Sequence, residues 1–291
     1  MCGSYNITTK DTKITKEMIE VKFSSEVCYK VIYSMKINLL MDTARSGAEN
    51  MALDEALGEW IIGREGEIVI RFYGWEPPTL SIGYNQPVSD LDLEALKRDG
   101  LGWVRRMTGG GGVLHWNEIT YCIAIPYDRK VGFSRQDLFT LCAGILSGCY
   151  NSLRIDTVPK IPGAYTPIAD CFAAPGAFEL VEKTTGKKIA GSASTIKRGY
   201  FLQHGALPLD DTHRRIGKYL TVNSPPESDF EGSVAIDQFV SLSREEVLSR
   251  FRGYLRDSFE VSKIELSEEV LSKTCQLAAE RYGVADWRSR K

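Results

Sequence analysis

Apolar positions along the chain recur with helical spacing in some segments and with strand-like character in others. Spacing of three and four residues predicts a helix over residues 48–63, with Ser46 placed to cap its start. Residues 67–73 are β-branched and aromatic, and residues 79–84 follow the Pro77-Pro78 break, so both segments are predicted strands. The first part of the chain is therefore expected to combine one amphipathic helix with two strands.

The middle of the chain repeats this alternation. Ser89-Asp90 is expected to open a short helix that stops at Gly100, and strands are predicted at 103–106 and 120–126. Ser134 with Asp137 resembles a capping box, which predicts a further helix through Cys149. Helices and strands thus alternate without an internal repeat.

The last third changes character. Residues 178–209 alternate strand-like stretches with glycines, as expected for a twisted antiparallel meander, and helices are predicted at 244–258 and 267–282. The order of elements predicts an α/β (α+β) fold with mixed, largely antiparallel sheets packed against helices. We expect residues 1–34 to be a poorly specified N-terminal extension and 35–291 to form one domain, with a helical C-terminal part over about 243–291.

Composition narrows the class of protein. The 36 Lys+Arg residues nearly balance 38 Asp+Glu residues, so no net field favours nucleic acid or a membrane surface. No apolar run reaches the length of about 18 residues that a spanning helix needs, and the first residues lack a signal pattern. Seven cysteines occur without a CxxC pair, which disfavours a disulfide framework or a zinc site. We expect a soluble, cytoplasmic protein with no metal.

A basic pair followed by glycines is the first candidate for chemistry. Arg105 and Arg106 precede Met107, Thr108 and the four glycines 109–112, and His115 follows shortly after. Glycines allow a ligand to approach the backbone closely, and exposed N–H groups can bind an anion or a carbonyl oxygen. The pattern is neither a P-loop nor a dinucleotide fingerprint. The alternative interpretation is a plain hairpin turn.

Three further segments carry candidate reactive groups. Cys171 lies between Asp170 and Pro175 in a loop-like segment, unlike Cys142 and Cys149, and is the best-placed candidate nucleophile. Lys188 precedes an apolar pair and then the small residues Gly191, Ser192 and Ala193, and His204 is followed by Gly205. Each segment alone leaves an alternative open. Cys171 could be a buried structural thiol, Lys188 a solvated surface lysine and His204 a core histidine.

The four segments, in this order, resemble the biotin/lipoate protein ligase superfamily over roughly residues 37–291. Residues 48–57 are similar to its first helix, 105–115 to its glycine-rich acyl-binding turn and 188–193 to its lysine motif, and Trp287 suits its closing segment. The resemblance implies a ligase-like catalytic domain over 35–291. Cys171 before Lys188, with Gln203-His204-Gly205 later, is most similar to octanoyltransferases of the LipM type, whereas the LipB type carries the lysine first.

The resemblance also implies roles. Cys171 would be the nucleophile and Lys188 the cation that favours its thiolate. Acyl or substrate binding would fall to a larger set of residues, namely Arg105, Arg106, Thr108, Gly109, Gly110, Gly111, His115, Gly191, Ser192, Ala193, His204 and Gly205. Arg105 and Arg106 could face the acidic surface of a carrier protein or its phosphopantetheine, or at least one of them could form a structural ion pair. The chain differs from the LipM type at Gly111, Gly112 and Trp116. These differences lie in the binding turn, so they bear on the choice of acyl group or donor more than on the class of reaction.

The implied reaction moves an octanoyl group from octanoyl-acyl carrier protein to a lysine of a lipoyl-carrier protein such as glycine-cleavage H protein. No cofactor, nucleic acid or membrane takes part. One alternative is an ATP-dependent lipoate-protein ligase, in which the glycine turn and Lys188 hold an acyl-adenylate. Others are an amidotransferase between carrier proteins and a non-enzymatic module that binds lipoylated domains.

Overall fold

A computed structural model describes residues 35–128, 133–159, 179–221 and 232–290 of the chain. Its strands are β1 Lys36–Arg45, β2 Glu67–Trp75, β3 Thr79–Ile82, β4 Gly102–Arg105, β5 Val113–His115, β6 Glu118–Tyr127, β7 Thr157–Pro159, β8 Leu180–Glu182, β9 Gly191–Lys197, β10 Gly199–Pro208 and β11 Glu260–Lys263. Its α-helices are α1 Gly47–Trp60, α2 Leu93–Arg98, α3 Arg135–Ser152, α4 Arg244–Ser258, α5 Glu268–Leu277 and α6 Ala285–Arg288.

Six strands form the main sheet in the order β11-β1-β2-β6-β10-β9. β1 runs parallel to both β2 and β11, whereas the pairs β2-β6, β6-β10 and β10-β9 are antiparallel. A three-stranded sheet has the order β4-β3-β5, and β7 pairs with β8. The predicted α/β (α+β) class with mixed, largely antiparallel sheets is therefore confirmed.

The main sheet lies between two helical layers, because its strands are apolar on both faces. One face packs against α3 and α4, where Cys142, Cys149 and Phe251 are fully buried. The other face packs against α1 and α5, with Leu53 and Val69 among the buried side chains. Burial of both faces explains why β2 and β6 read as continuous apolar runs instead of alternating ones.

The longer helices begin as their sequences predict. Ser46, Ser134 and Ser243 each cap a helix through a capping box, at the starts of α1, α3 and α4. The helix predicted from Ser89 starts later, because Asp92 caps α2 by accepting the Ala95 N–H at 2.9 Å, and a 3₁₀ turn precedes it. The predicted extension, residues 1–34, lies outside the described residues. Within the described ranges, every helix is too short or too polar to span a bilayer.

Candidate functional site

The glycine-rich turn links two strands that lie on opposite sides of a third. β4 and β5 flank β3, so the residues between them cross the end of β3, and the hairpin interpretation is wrong. The crossing requires Gly83, since a Cβ there would lie 1.9 Å from the carbonyl oxygen of Gly110. Gly110 itself has a φ of 95°, a backbone conformation that favours glycine.

Arg106 shapes this turn from inside. Its side chain is buried, and Nη1 donates to both the carbonyl oxygen and Oγ of Ser81 at 2.8 Å. Nη2 donates to the carbonyl oxygens of Gly109 at 3.1 Å and Gly111 at 2.9 Å. The guanidinium therefore holds the turn in one shape and turns these carbonyls inward.

Arg105 has a different position from the one expected for a substrate-binding residue. Its guanidinium is fully buried and donates to the backbone carbonyl oxygens of Gly83, Tyr84, Gln86, Arg288 and Arg290, at 2.6–3.1 Å. It does not point outward and forms no carboxylate ion pair within the described residues. The expectation of an outward or ion-paired Arg105 is wrong, because the side chain joins the C-terminal segment to the loop after β3.

A pocket lies where the glycine turn meets β9 and β10. Its lining includes most of the residues expected to bind substrate, together with apolar side chains: Met51, Tyr73, Trp75, Ser81, Arg106, Val113, His115, Thr120, Gly191, Ser192, Ala193, His204, Gly205 and Ala206. The close pairing of the two strands requires Gly205, since a Cβ there would lie 1.9 Å from the carbonyl oxygen of Gly191. Segments that are distant in sequence thus form one concave site.

His204 connects the pocket to the turn and to α1. Its Nδ1 lies 2.9 Å from Oδ2 of Asp54, and its Nε2 lies 2.7 Å from Oγ1 of Thr108. Burial lowers the pKa of His204 more than the hydrogen bond to Asp54 raises it, which favours a neutral imidazole. Because a carboxylate accepts hydrogen bonds, Nδ1 then donates to Asp54 and Nε2 accepts from the Thr108 hydroxyl.

Behind His204, a buried polar network supports Asp54. Arg71 donates to Oδ1 of Asp54 at 2.7 Å and to Asp42 at 2.8 Å, and the Tyr73 hydroxyl donates to Asp54 at 2.9 Å. Sequence reasoning did not assign these residues to the site. A signal was present, since Arg71 is a charge inside an apolar strand, and such a charge is stable only when it is paired.

His115 forms a second polar chain on the other side of the pocket. Nε2 lies 2.6 Å from Oγ of Ser81, Nδ1 lies 2.7 Å from Oε1 of Glu118, and the ring stacks on Trp75 with centroids 4.0 Å apart. Thr120 also donates to that Glu118 oxygen. The imidazole is thereby fixed in orientation, with both nitrogens occupied.

Lys188 is fully buried, and its Nζ lies 2.7 Å from Oε2 of Glu179. Its backbone is held on two sides, by Gly232 and Val234 through hydrogen bonds of 2.8 Å. Lys188 is not among the residues that line the pocket, but the chain continues from it into the pocket-lining residues 191–193. The interpretation of a solvated lysine is wrong. Cys171 lies outside the described residues.

The cysteines that the structure describes do not have the properties of a nucleophile. Cys122, Cys142 and Cys149 are buried, and burial raises the pKa of each thiol well above its ordinary value. Cys275 is exposed, lies on α5 and is not among the residues that line the pocket. The expectation that Cys142 and Cys149 are core residues is confirmed.

Comparison with known proteins agrees with this arrangement. Residues 46–250 match the lipoyl protein ligase A/B catalytic domain. The chain is 38% identical over 265 residues to octanoyltransferase LipM of Lysinibacillus sphaericus, covering 83% of this chain and 94% of that relative. It is 34% identical over 269 residues to octanoyltransferase LipM of Bacillus subtilis, covering 84% of this chain and 95% of that relative.

Solved structures show the same fold. A bi-partite lipoate protein ligase from Thermoplasma acidophilum, studied with its E2 lipoyl domain, superposes with a TM-score of 0.68 at 22% identity, over 88% of this chain and 96% of its own. A lipoate-protein ligase A bound with ATP superposes with a TM-score of 0.68 at 23% identity, over 87% of this chain and 98% of its own.

The fold and the matched residues define the class, and the chain belongs to the lipoyl protein ligase A/B catalytic domain family. The two relatives named above match more than four fifths of the chain and are octanoyltransferases of the LipM type, and the chain is an acyltransferase enzyme of that kind.

Proposed function

We propose that the chain transfers an octanoyl group from octanoyl-acyl carrier protein, through a thioester on Cys171, to a lysine of a lipoyl-carrier protein such as glycine-cleavage H protein. The observation that carries the proposal is the match to LipM octanoyltransferases at 34–38% identity over more than four fifths of the chain. The order of Cys171 before Lys188 and Gln203-His204-Gly205 supports the same assignment.

The pocket suits an acyl chain with a polar head. Met51, Tyr73, Trp75 and Val113 offer apolar surface for the hydrocarbon. Backbone groups lie at the same site, because Gly191, Ser192 and Ala193 also line it. Pre-oriented donors of this kind stabilise the oxyanion that forms when a thioester is attacked.

The chemistry needs no ATP, because the donor thioester is already activated. The thiolate of Cys171 attacks the thioester carbonyl, the bond from carbonyl carbon to donor sulfur breaks, and the donor leaves as a thiol after taking up a proton. The neutral acceptor amine then attacks the acyl-enzyme, the bond to the Cys171 sulfur breaks, one proton passes from the nitrogen to that sulfur, and an amide remains. A free cysteine is mostly protonated at neutral pH, so a nearby cation is needed, and Lys188 is the candidate.

Residues 35–291 are expected to contain all of this machinery. A protein that begins at Met35 should transfer octanoyl groups at the rate of the full chain. A loss of transfer in a shortened protein that still folds would assign residues 1–34 to the catalytic unit.

Transfer between purified proteins tests the proposal. We expect octanoyl-acyl carrier protein and H protein to yield octanoyl-H protein without ATP, and the Cys171→Ala variant to yield none. Transfer that requires ATP and magnesium with free octanoate or lipoate would instead identify a ligase. Transfer from octanoyl-H protein, but not from octanoyl-acyl carrier protein, would identify an amidotransferase.

A further inference from the structure

A groove with a volume of about 610 Å³ lies beside the pocket. The two cavities share Trp75 and His115, which line both. Trp116, Glu118, Arg215 and Arg244 also line the groove. A ligand in the groove therefore reaches the wall of the pocket without passing through the glycine turn.

Glu118 has one carboxylate oxygen without a partner. The residue is 5% exposed, and its Oε1 accepts from Thr120 and pairs with Nδ1 of His115. Its Oε2 is buried and has no hydrogen-bond partner among the described residues. A buried carboxylate oxygen that lacks a donor costs free energy, so its retention in a folded protein requires an explanation.

The basic residues of the groove do not provide that partner. The Glu118 carboxylate partly opposes the lowering of the Arg244 pKa by burial, but Arg244 makes no hydrogen bond to Oε2 of Glu118 within the described part of the chain. Arg215 lies over the Trp116 ring, 5.5 Å from its centroid. The free oxygen is thus suited to a donor that enters the groove from outside.

We infer that the groove admits the acceptor lysine, and that Oε2 of Glu118 binds its ammonium and removes one proton. This inference rests on the proposed function, whose second step consumes a primary amine. Trp75 and Trp116 offer apolar surface for the four-carbon stem of a lysine. The carboxylate takes the first amine proton, the neutral nitrogen attacks the thioester carbonyl, the bond from carbon to sulfur breaks, and the second proton passes to the leaving sulfur.

The inference predicts that Glu118→Gln slows the transfer of the acyl group to H protein but not the acylation of the enzyme by its donor. Glutamine keeps an oxygen for His115 and Thr120 but offers an amide in place of the proton acceptor. We expect acylation by octanoyl-acyl carrier protein within twofold of wild type and transfer to H protein slower by about 100-fold or more, the usual range for a lost general base. Hydroxylamine is small and mostly neutral at pH 7, so it should release the acyl group from both proteins equally.

Ala44→Trp provides a second variant that leaves Glu118 intact. Ala44 is exposed at the groove, so tryptophan should obstruct it while acylation and hydroxylamine release continue. Glu94→Gln, an exposed change on α2, is the control that should match wild type in every assay.

The outcomes are distinct. Wild-type rates of transfer to H protein in Glu118→Gln or Ala44→Trp would overturn the inference and leave the proposed function standing. Equal slowing of acylation, transfer and hydroxylamine release in Glu118→Gln would also overturn it, since Glu118 would then only position His115. A wild-type protein that acquires no acyl group would overturn the proposed function and this inference with it.

Discussion

His204 lies with Nδ1 2.9 Å from the carboxylate of Asp54, a residue that precedes it by 150 positions. The contact joins β10, which lines the pocket, to α1, whose capping box starts the family-matched region. Asp54, together with Asp42, also pairs with Arg71, so the Asp54 carboxylate supports both the fold and the orientation of the imidazole.

Asp54→Asn should lower both stability and activity. The change removes a charge from a pair in which both side chains are fully buried, and breaking such a pair costs about 3–5 kcal/mol in the free energy of unfolding. The amide can also donate to Nδ1 of His204, which disturbs the imidazole that faces Thr108. Urea denaturation measures the first effect and octanoyl transfer the second. Glu65→Gln, an exposed change in the turn after α1, is the control. Unchanged stability in Asp54→Asn would contradict the account.

The pair of Lys188 and Glu179 allows stability to be separated from catalysis. Lys188→Met removes the ammonium that lies 2.7 Å from the Glu179 carboxylate, and we expect a loss of about 3–5 kcal/mol in the free energy of unfolding. The double variant Lys188→Met with Glu179→Gln should recover part of that stability. It should not recover transfer at neutral pH, because the cation that favours the thiolate is still missing. Recovery of both properties together would make Lys188 a purely structural residue.

The hydrogen bonds of Arg105 connect the C-terminal segment to the strand that leads into the glycine turn. Its five carbonyl partners include Arg288 and Arg290, and Trp287 donates to the Arg105 carbonyl oxygen at 3.1 Å. Removing residues 285–291 should therefore speed amide hydrogen exchange over residues 106–112, and Arg105→Met should do the same. Arg98→Met, on an exposed arginine of α2, should not change that exchange. Unchanged exchange in the shortened protein would show that the C-terminal segment does not support the turn.

Acid should destabilise the protein partly through His213. Burial lowers the pKa of His213 to about 4, whereas an unfolded histidine titrates near 6.5. Between these values the unfolded state binds a proton that the folded state does not, so stability falls as the pH is lowered. The contribution of His213 to the free energy of unfolding is fully present above about pH 6.5. It falls by about 1.4 kcal/mol for each pH unit between about pH 6.5 and about pH 4.

His213→Gln tests this dependence. Glutamine does not titrate, so its free energy of unfolding should vary less with pH between 4 and 6.5 than that of wild type. Chemical denaturation at several pH values measures the difference. An identical slope in the two proteins would assign the acid sensitivity to other groups.

Much of the fold follows from local sequence rules. Ser46, Ser134 and Ser243 cap helices where a serine precedes an acidic residue by three positions, and that signal is local. β1 was not predicted, although four consecutive buried residues begin at Ile37. Its parallel partner β11 comes from the far end of the chain, and long-range pairing of this kind leaves no local pattern.

The candidate site was predictable in its residue types and less so in its contacts. The family resemblance implied that Arg106, His115, Gly191 and His204 belong to one site, and the pocket contains all four. The carbonyl partners of Arg105 and the Glu179 partner of Lys188 depend on how loops from separate segments fold over one another. A buried arginine and an outward arginine look alike in sequence, because only the tertiary structure decides which carbonyl oxygens surround the guanidinium.

The covalent intermediate on Cys171 is the central claim, and intact-mass spectrometry tests it most directly. After a short incubation with octanoyl-acyl carrier protein and no acceptor, wild type should gain the mass of one octanoyl group, and peptide mapping should find it on Cys171. Cys171→Ala should gain none, whereas Cys275→Ala should be acylated like wild type because it alters an exposed thiol on α5. A wild-type protein that transfers octanoyl groups but never carries one, or carries it on another residue, would contradict the account.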